Sequence, residues 1–322
     1  IQGANLAASD RYDLADRYLS EAEVACEEAP DSLPVLALGL AANHAYHCRW
    51  SQCHDWTARG REAIEAGMRF RFTSHTLRIF EMGSLAQMAR YAEFEEVRAV
   101  AIEEARSSGY LATEALFRSA FGIQPGLIHD DADEARRNLD RAEACLSNQP
   151  TFAWLSYHLE RVQLDCYVNR PEEGLARLVG IRRRAMRSGL LFVGLFRSWW
   201  NGLLVICAAR LPEQRALAQS MRLWVFNGGG ASDYYWGGFK TGAWAAMAGD
   251  YDKAIEIYGQ TADRMGEVGM QTHQLAATRA VAFYRGDMAI VAVCEAGMGE
   301  LGIANPAAYS RHILPIVVER DP

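Results

Sequence analysis

Apolar residues recur along the chain at spacings of three and four, interrupted by short polar or turn-forming breaks. The breaks fall near Asp10, Arg49, Arg90, Asp130, Arg170, Leu211, Asp250 and Asp287, and the intervals between them run from 37 to 41 residues. Each interval holds two helical stretches. The stretch Asp133–Ser147 carries Ala135, Leu139, Ala142 and Leu146 on one stripe, as a helix packed on one side requires. The next, Thr151–Asn169, spreads Trp154, Leu155, Leu159, Val162, Cys166 and Val168 over a broader surface, as expected of a helix covered on two sides. Pro34, Pro171, Pro212 and Pro306 stand at expected helix starts, where a missing N–H costs nothing. Gly109, Gly189, Gly249 and Gly286 stand at expected ends, where a left-handed residue is needed. No stretch alternates with period two for long enough to make a sheet. The pattern predicts an all-α chain, a right-handed α-solenoid of about seven helical hairpins of roughly forty residues. A single hairpin cannot bury its own apolar face, so stacking makes the core.

The detail within the repeat narrows the expectation. An aromatic just after the break, then alanines at three- and four-residue spacing, marks Gly249–Met265 and Arg90–Ala105. This resembles tetratricopeptide (TPR) repeats in a longer, degenerate form. The segment Gly299–Pro315 is similar to the closing segment of large bacterial signalling proteins, in which a Ser/Thr kinase or ATPase module precedes a helical-repeat tail. Asn305 and Pro306 match the start of that final helix and Leu314–Pro315 its end, whereas the closing "IVVERDP" departs from the usual short aromatic terminus. The resemblance implies a single TPR-like superhelical domain over residues 1–322, with 305–317 as a C-terminal capping helix. It also implies a non-catalytic interaction or regulatory region of a cytoplasmic signal-transduction protein. Its partner would be a peptide, a protein or a neighbouring domain of the same polypeptide. A small-ligand sensor domain of an ATPase-type transcription regulator is the alternative. The first residue is Ile1 and not methionine, which fits an expectation of a piece from a longer chain.

Composition removes several classes. With 322 residues, half of them apolar, the chain can bury a large core. A formal charge of −7 argues against a nucleic-acid partner, because phosphate neutralisation needs a basic surface. Seven scattered cysteines form no disulfide framework and are expected as free thiols in a reducing compartment. The opening "IQGANLAASD" has no signal-peptide pattern. Leu190–Leu211 has the length of a membrane span, but Arg197 and Asn201 would sit near the bilayer centre at high cost, so it is expected as a packed helix.

Candidate chemistry is sparse. The stretch Gly228–Gly242 looks like a phosphate cradle, yet Lys240 follows Phe239, no glycine precedes the lysine, and no strand leads into it. Kinase, zinc-protease and nucleophile-elbow motifs are absent, and no cofactor or catalytic residue is expected. His44, His47, Cys48, Cys53 and His54 cluster in sequence and could supply four zinc ligands. Adjacent residues point apart on a helix, however, and the other repeat turns carry no such ligands, so the expectation is no metal. Asp130 and Asp131 are expected to cap the helix that follows them. Trp199, Trp200, Tyr234, Tyr235 and Trp236 concentrate aromatic bulk beside Gly237, Gly238 and Gly242, with Lys240, Arg182, Arg183 and Arg197 nearby and Arg184 and Arg187 in the same run. Two readings stay open. The rings are core and the arginines a solvated face, or together they line a groove for an acidic peptide.

Overall fold

The computed structural model describes residues 12–66, 71–222 and 231–314. Every regular element among them is helical, and no strand occurs among the described residues. The α-helices are α1 (Tyr12–Glu28), α2 (Leu33–Tyr46), α3 (Trp50–Glu65), α4 (Arg71–Gln87), α5 (Tyr91–Ser107) and α6 (Leu111–Ser119). They continue with α7 (Gln124–Ile128), α8 (Ala132–Cys145), α9 (Phe152–Tyr167), α10 (Pro171–Arg187), α11 (Gly194–Arg210) and α12 (Arg215–Ser220). The last five are α13 (Ala231–Met247), α14 (Tyr251–Glu267), α15 (Gln271–Arg285), α16 (Met288–Glu300) and α17 (Pro306–Ile313). No helix among the described residues is long and apolar enough to cross a membrane.

The predicted breaks fall at a recurring turn. Cys48, Ala89, Asp130, Asn169, Gly249 and Gly286 take left-handed conformations, with φ between 55° and 83°. The residue after each then donates its N–H back across the helix end: Arg49 to His44 O at 2.8 Å, Arg90 to Leu85 O at 2.9 Å, Arg170 to Asp165 O at 2.7 Å and Asp250 to Ala245 O at 3.0 Å. This Schellman closure satisfies the last carbonyls of one helix, and the next helix starts one residue later. Glycine marks only some of these turns. Side-chain-bearing residues adopt the same strained conformation at the others, which is why only part of the series carries a glycine signal. The break at Leu211 is followed by a 3-10 turn over Pro212–Gln214, and Asp10 lies outside the described residues.

Most helices adjacent in sequence pack against each other, and several also meet the next but one, as α2 does α4 and α9 does α11. The closest approach uses glycine. A Cβ at Gly242 would lie 2.6 Å from the fully buried ring of Tyr258 on α14, and one at Gly238 would overlap Thr261. A Cβ at Gly237 would meet nothing within 4 Å. Gly242→Val is therefore expected to destabilise by about 1–3 kcal/mol through overpacking. Gly237→Ala is expected to be neutral or to stabilise by up to about 1 kcal/mol, from helix propensity alone. Urea unfolding of both variants checks the pair, and equal shifts would remove the close-approach explanation.

The two ends of the helical series come together. One core cluster joins Ala41, Cys53 and Leu77 near the start to Phe239, Tyr258 and Leu314 near the end. A second joins Tyr91, Leu127, Leu139 and Tyr157 to Ala276, Met298 and Tyr309. Helix α17, within the predicted 305–317, packs against α9, α15 and α16, with Ala308, Tyr309, Ser310 and His312 buried. Polar contacts stitch this closure. Tyr91 Oη meets Thr272 Oγ1 at 2.8 Å and Tyr309 Oη at 3.3 Å, and Gln124 donates to Tyr309 Oη. Asp130 departs from its expected capping role: its carboxylate accepts from Tyr167 Oη at 2.5 Å and from Asn305 Nδ2 at 3.0 Å. Asp131 does cap α8, accepting from Glu134 N at 2.8 Å.

Candidate functional site: an arginine-lined cleft

The His/Cys segment ends α2 and begins α3. Cys48 is buried in the left-handed turn, and Cys53 is buried against α4 with its Sγ 3.8 Å from Phe80 O. Burial pushes the Cys48 thiol up to about 12 and the Cys53 thiol higher still, away from the thiolate a metal needs. Burial also lowers the pKa of His44 and His54. No group of three or more metal-ligating side chains converges among the described residues. The turn separates His44 and His47 from Cys53 and His54 onto different helices, and Cys53 is turned into the core.

The aromatic region divides between two packing environments. Trp200 is fully buried in the cluster formed by α9, α10 and α11, and its Nε1 donates to Met221 O at 3.4 Å. It therefore belongs to the core and leaves the predicted groove. Its neighbour Trp199 is half-buried and stacks on Phe196 with ring centroids 6.5 Å apart. Trp236 lies in the other cluster, half-buried, edge-on to His273 at 4.7 Å. Tyr234 and Tyr235 fall in the first turn of α13, and their side chains lie outside the described residues. Arg197 is buried, and Lys240 donates to Ser198 Oγ at 3.1 Å, which ties α13 to α11. Among the described side chains, then, Trp200 and Arg197 are buried, while Trp199 and Trp236 lie half-buried in different clusters.

The arginines do form one. Helix α10 buries Pro171, Gly174, Leu175, Leu178, Ile181 and Ala185, spaced by three and four, and this turns Arg183, Arg184 and Arg187 outward in its last turns. With Pro150, Gly180 and Ser188 these three line a cleft of roughly 410 Å³. Arg182 points elsewhere and donates to Ser220 O at 3.3 Å. The Arg184 guanidinium sits 4.8 Å over the ring of Trp154, which itself is buried at the start of α9. Beside Trp154 lies His158, with ring centroids 4.6 Å apart. Burial, then Arg177, Arg184 and Arg161, push its pKa down to about 4, so at neutral pH it is uncharged. Two residues from Pro150, Phe152 is 52% exposed and stacks on Phe196 at 5.5 Å.

What marks this cleft is that three arginines line it together. Many arginines elsewhere meet carboxylates, as in Arg61–Glu81 at 2.6 Å, Arg118–Glu114 at 2.7 Å and Arg279–Glu295 at 2.8 Å, while others such as Arg59 and Arg222 lie over tryptophan rings. On α10 itself Arg177 pairs with Asp165 at 3.5 Å. Arg183, Arg184 and Arg187 have no carboxylate within ion-pair distance among the described residues. Three unneutralised guanidiniums in an acidic chain make a local field for anions. Its lining of three arginines, a serine, a proline and a glycine is suited to holding an anion. Arg182 and Arg183 were predicted as part of a groove; Pro150, Phe152, Trp154 and Ser188 were not. The missed signal was the hairpin. With its turn at Asn169, Trp154 and Arg184 stand equally far from the turn in sequence and so lie side by side. Comparison with known protein families, curated proteins and solved structures finds no match.

Proposed function

We propose that this chain is a non-catalytic interaction module that captures an acidic segment, from a partner protein or a neighbouring domain, in the cleft between the loop before α9 and the end of α10. The observation that carries the reading is the set of three arginines without carboxylate partners around one cleft. Phe152, two residues from Pro150, adds an exposed aromatic, and aromatics and arginines dominate binding energy at interfaces. We read the architecture as an α-solenoid of TPR-like hairpins, supported by the turn that recurs at Cys48, Ala89, Asp130, Asn169, Gly249 and Gly286. The region would serve a signal-transduction protein, and the wider resemblance to bacterial kinase or ATPase-regulator tails belongs to the same proposal. A small-anion sensor is the second reading. It is favoured by the cleft volume of roughly 410 Å³, within the range of small-ligand sites.

Fluorescence anisotropy with a labelled Glu-rich peptide containing one aromatic residue tests the module. Arg183→Glu with Arg187→Glu is expected to weaken binding at least tenfold, because both side chains are exposed and their reversal repels the ligand without touching the core. Binding should also weaken with rising salt. Unchanged affinity in the double variant would remove the cleft from the interface.

A further inference from the structure

Resting on the reading of the arginine-lined cleft as the binding site, we propose that it is built for a phosphomonoester dianion, presented as a phosphoserine or phosphothreonine on the captured segment. Arg183 and Arg187 are four residues apart on α10, and Arg184 and Arg187 three. Side chains so spaced spring from neighbouring points, with Cβ atoms about 5–6 Å apart. Arg187 is thus a neighbour of both Arg183 and Arg184, and all three line the same cleft. An extended acidic peptide distributes its charge differently: same-side carboxylates recur about 6.5–7 Å apart, each a monoanion. A phosphomonoester concentrates nearly two charges and three strong acceptor oxygens on one centre, which is what a cluster of neighbouring arginines can saturate.

The cluster is also prepared in advance. Arg184 is held over Trp154, so part of its side-chain freedom is already surrendered while the edge of the guanidinium stays available for in-plane hydrogen bonds. No neighbouring carboxylate has to be displaced first. The exclusion of Arg182, committed to Ser220 O, confines the charge to the cleft. Phe152, exposed two residues from Pro150, gives an apolar neighbour of the modified residue a ring to pack on, which favours a peptide over a free phosphate.

Isothermal titration of the full chain separates the cases with four probes. These are inorganic phosphate alone, a phosphoserine peptide with a flanking aromatic, the same peptide with glutamate at that position, and the unmodified serine peptide. The expected result is that the phosphopeptide binds at least tenfold more tightly than the glutamate peptide. Arg183→Gln with Arg187→Gln should abolish that margin, and Arg136→Gln on α8 should leave it intact. Inorganic phosphate binding as tightly as the phosphopeptide, and lost in the same double variant, supports the dianion site and assigns it to a free phosphate or small phosphoester. Glutamate and phosphoserine peptides of equal affinity overturn the inference and leave the acidic-segment reading standing. No binding by any probe, or binding undiminished in the double variant, overturns both.

Discussion

Replacing Tyr309 by alanine is expected to lower the unfolding free energy by about 3–5 kcal/mol, the range for deleting a fully buried aromatic side chain. Tyr309 is 1% exposed and lies in the cluster that joins α5, α8 and α9 to the last helices. Its ring meets His312 edge-on at 4.4 Å, and its hydroxyl is shared with Tyr91 and Gln124. Alanine leaves a cavity and removes the hydroxyl that Gln124 and Tyr91 share, although Tyr91 keeps its bond to Thr272. Tyr309→Phe separates them: it keeps the packing and removes only the hydroxyl, for an expected loss of about 1–2 kcal/mol. Urea unfolding measures both. Because the contact bridges distant parts of the chain, amide exchange near Tyr91 and Thr272 should quicken in the alanine variant before global unfolding. A midpoint unchanged by Tyr309→Ala would mean that α17 contributes nothing to holding the two ends together.

Acidification is the second large effect. His273 and His312 are buried, at 8% and 3% exposure, and burial pushes their pKa values down to about 3 and about 4. His312 donates its Nδ1 hydrogen to Tyr309 O at 2.6 Å, and His273 lies against Trp236 and Phe239. His158 is lowered likewise, to about 4. The unfolded chain protonates its histidines near pH 6.5, while the folded one resists until far lower. The unfolded state then binds more protons between these values, so stability falls as pH drops from about 6.5 toward 4. At pH 5 each buried histidine accounts for about 2 kcal/mol of that loss. Glu160 acts in the opposite sense. Burial raises its pKa to about 8 although it accepts from Ile123 N at 3.1 Å, so the folded state holds its proton where the unfolded state has lost it. Its contribution weakens stability as pH rises from about 4.5 to 8 and partly masks the histidines. Glu160→Gln keeps an acceptor for Ile123 N and removes the titration. Denaturation curves at pH 5 and 7 should therefore show a steeper acid loss in Glu160→Gln than in the parent chain. An acid loss in Glu160→Gln no steeper than in the parent chain would contradict a Glu160 held protonated by burial.

Helix boundaries were legible in the sequence because they are set locally. A left-handed residue, a proline at the first position and an apolar stripe all act within one or two turns. The predicted breaks from Arg49 to Asp287 accordingly coincide with helix junctions. The aromatic groove was not legible, because burial depends on what arrives from elsewhere. Trp199 and Trp200 are neighbours with the same chemistry. One is half-buried beside Phe196; the other is enclosed by helices on every side, with its N–H used by Met221 O. The basic run on α10 was visible as charge, but its freedom from carboxylates was not, since Arg177 on the same helix found one and Arg183 did not.

What the sequence determined by itself is the all-helical character, the rhythm of helix and turn, and the amphipathic face that leaves Arg183, Arg184 and Arg187 outward. Those follow from backbone conformational preference and from the 3.6-residue period, both properties of short segments. Only the tertiary structure decided that the series closes, with Asn305 reaching Asp130 across 175 positions, and that Arg177 meets Asp165 while Arg183 meets no carboxylate among the described residues. Both are choices of partner between segments, and such choices are made by shape and by the burial of polar groups that no local pattern records.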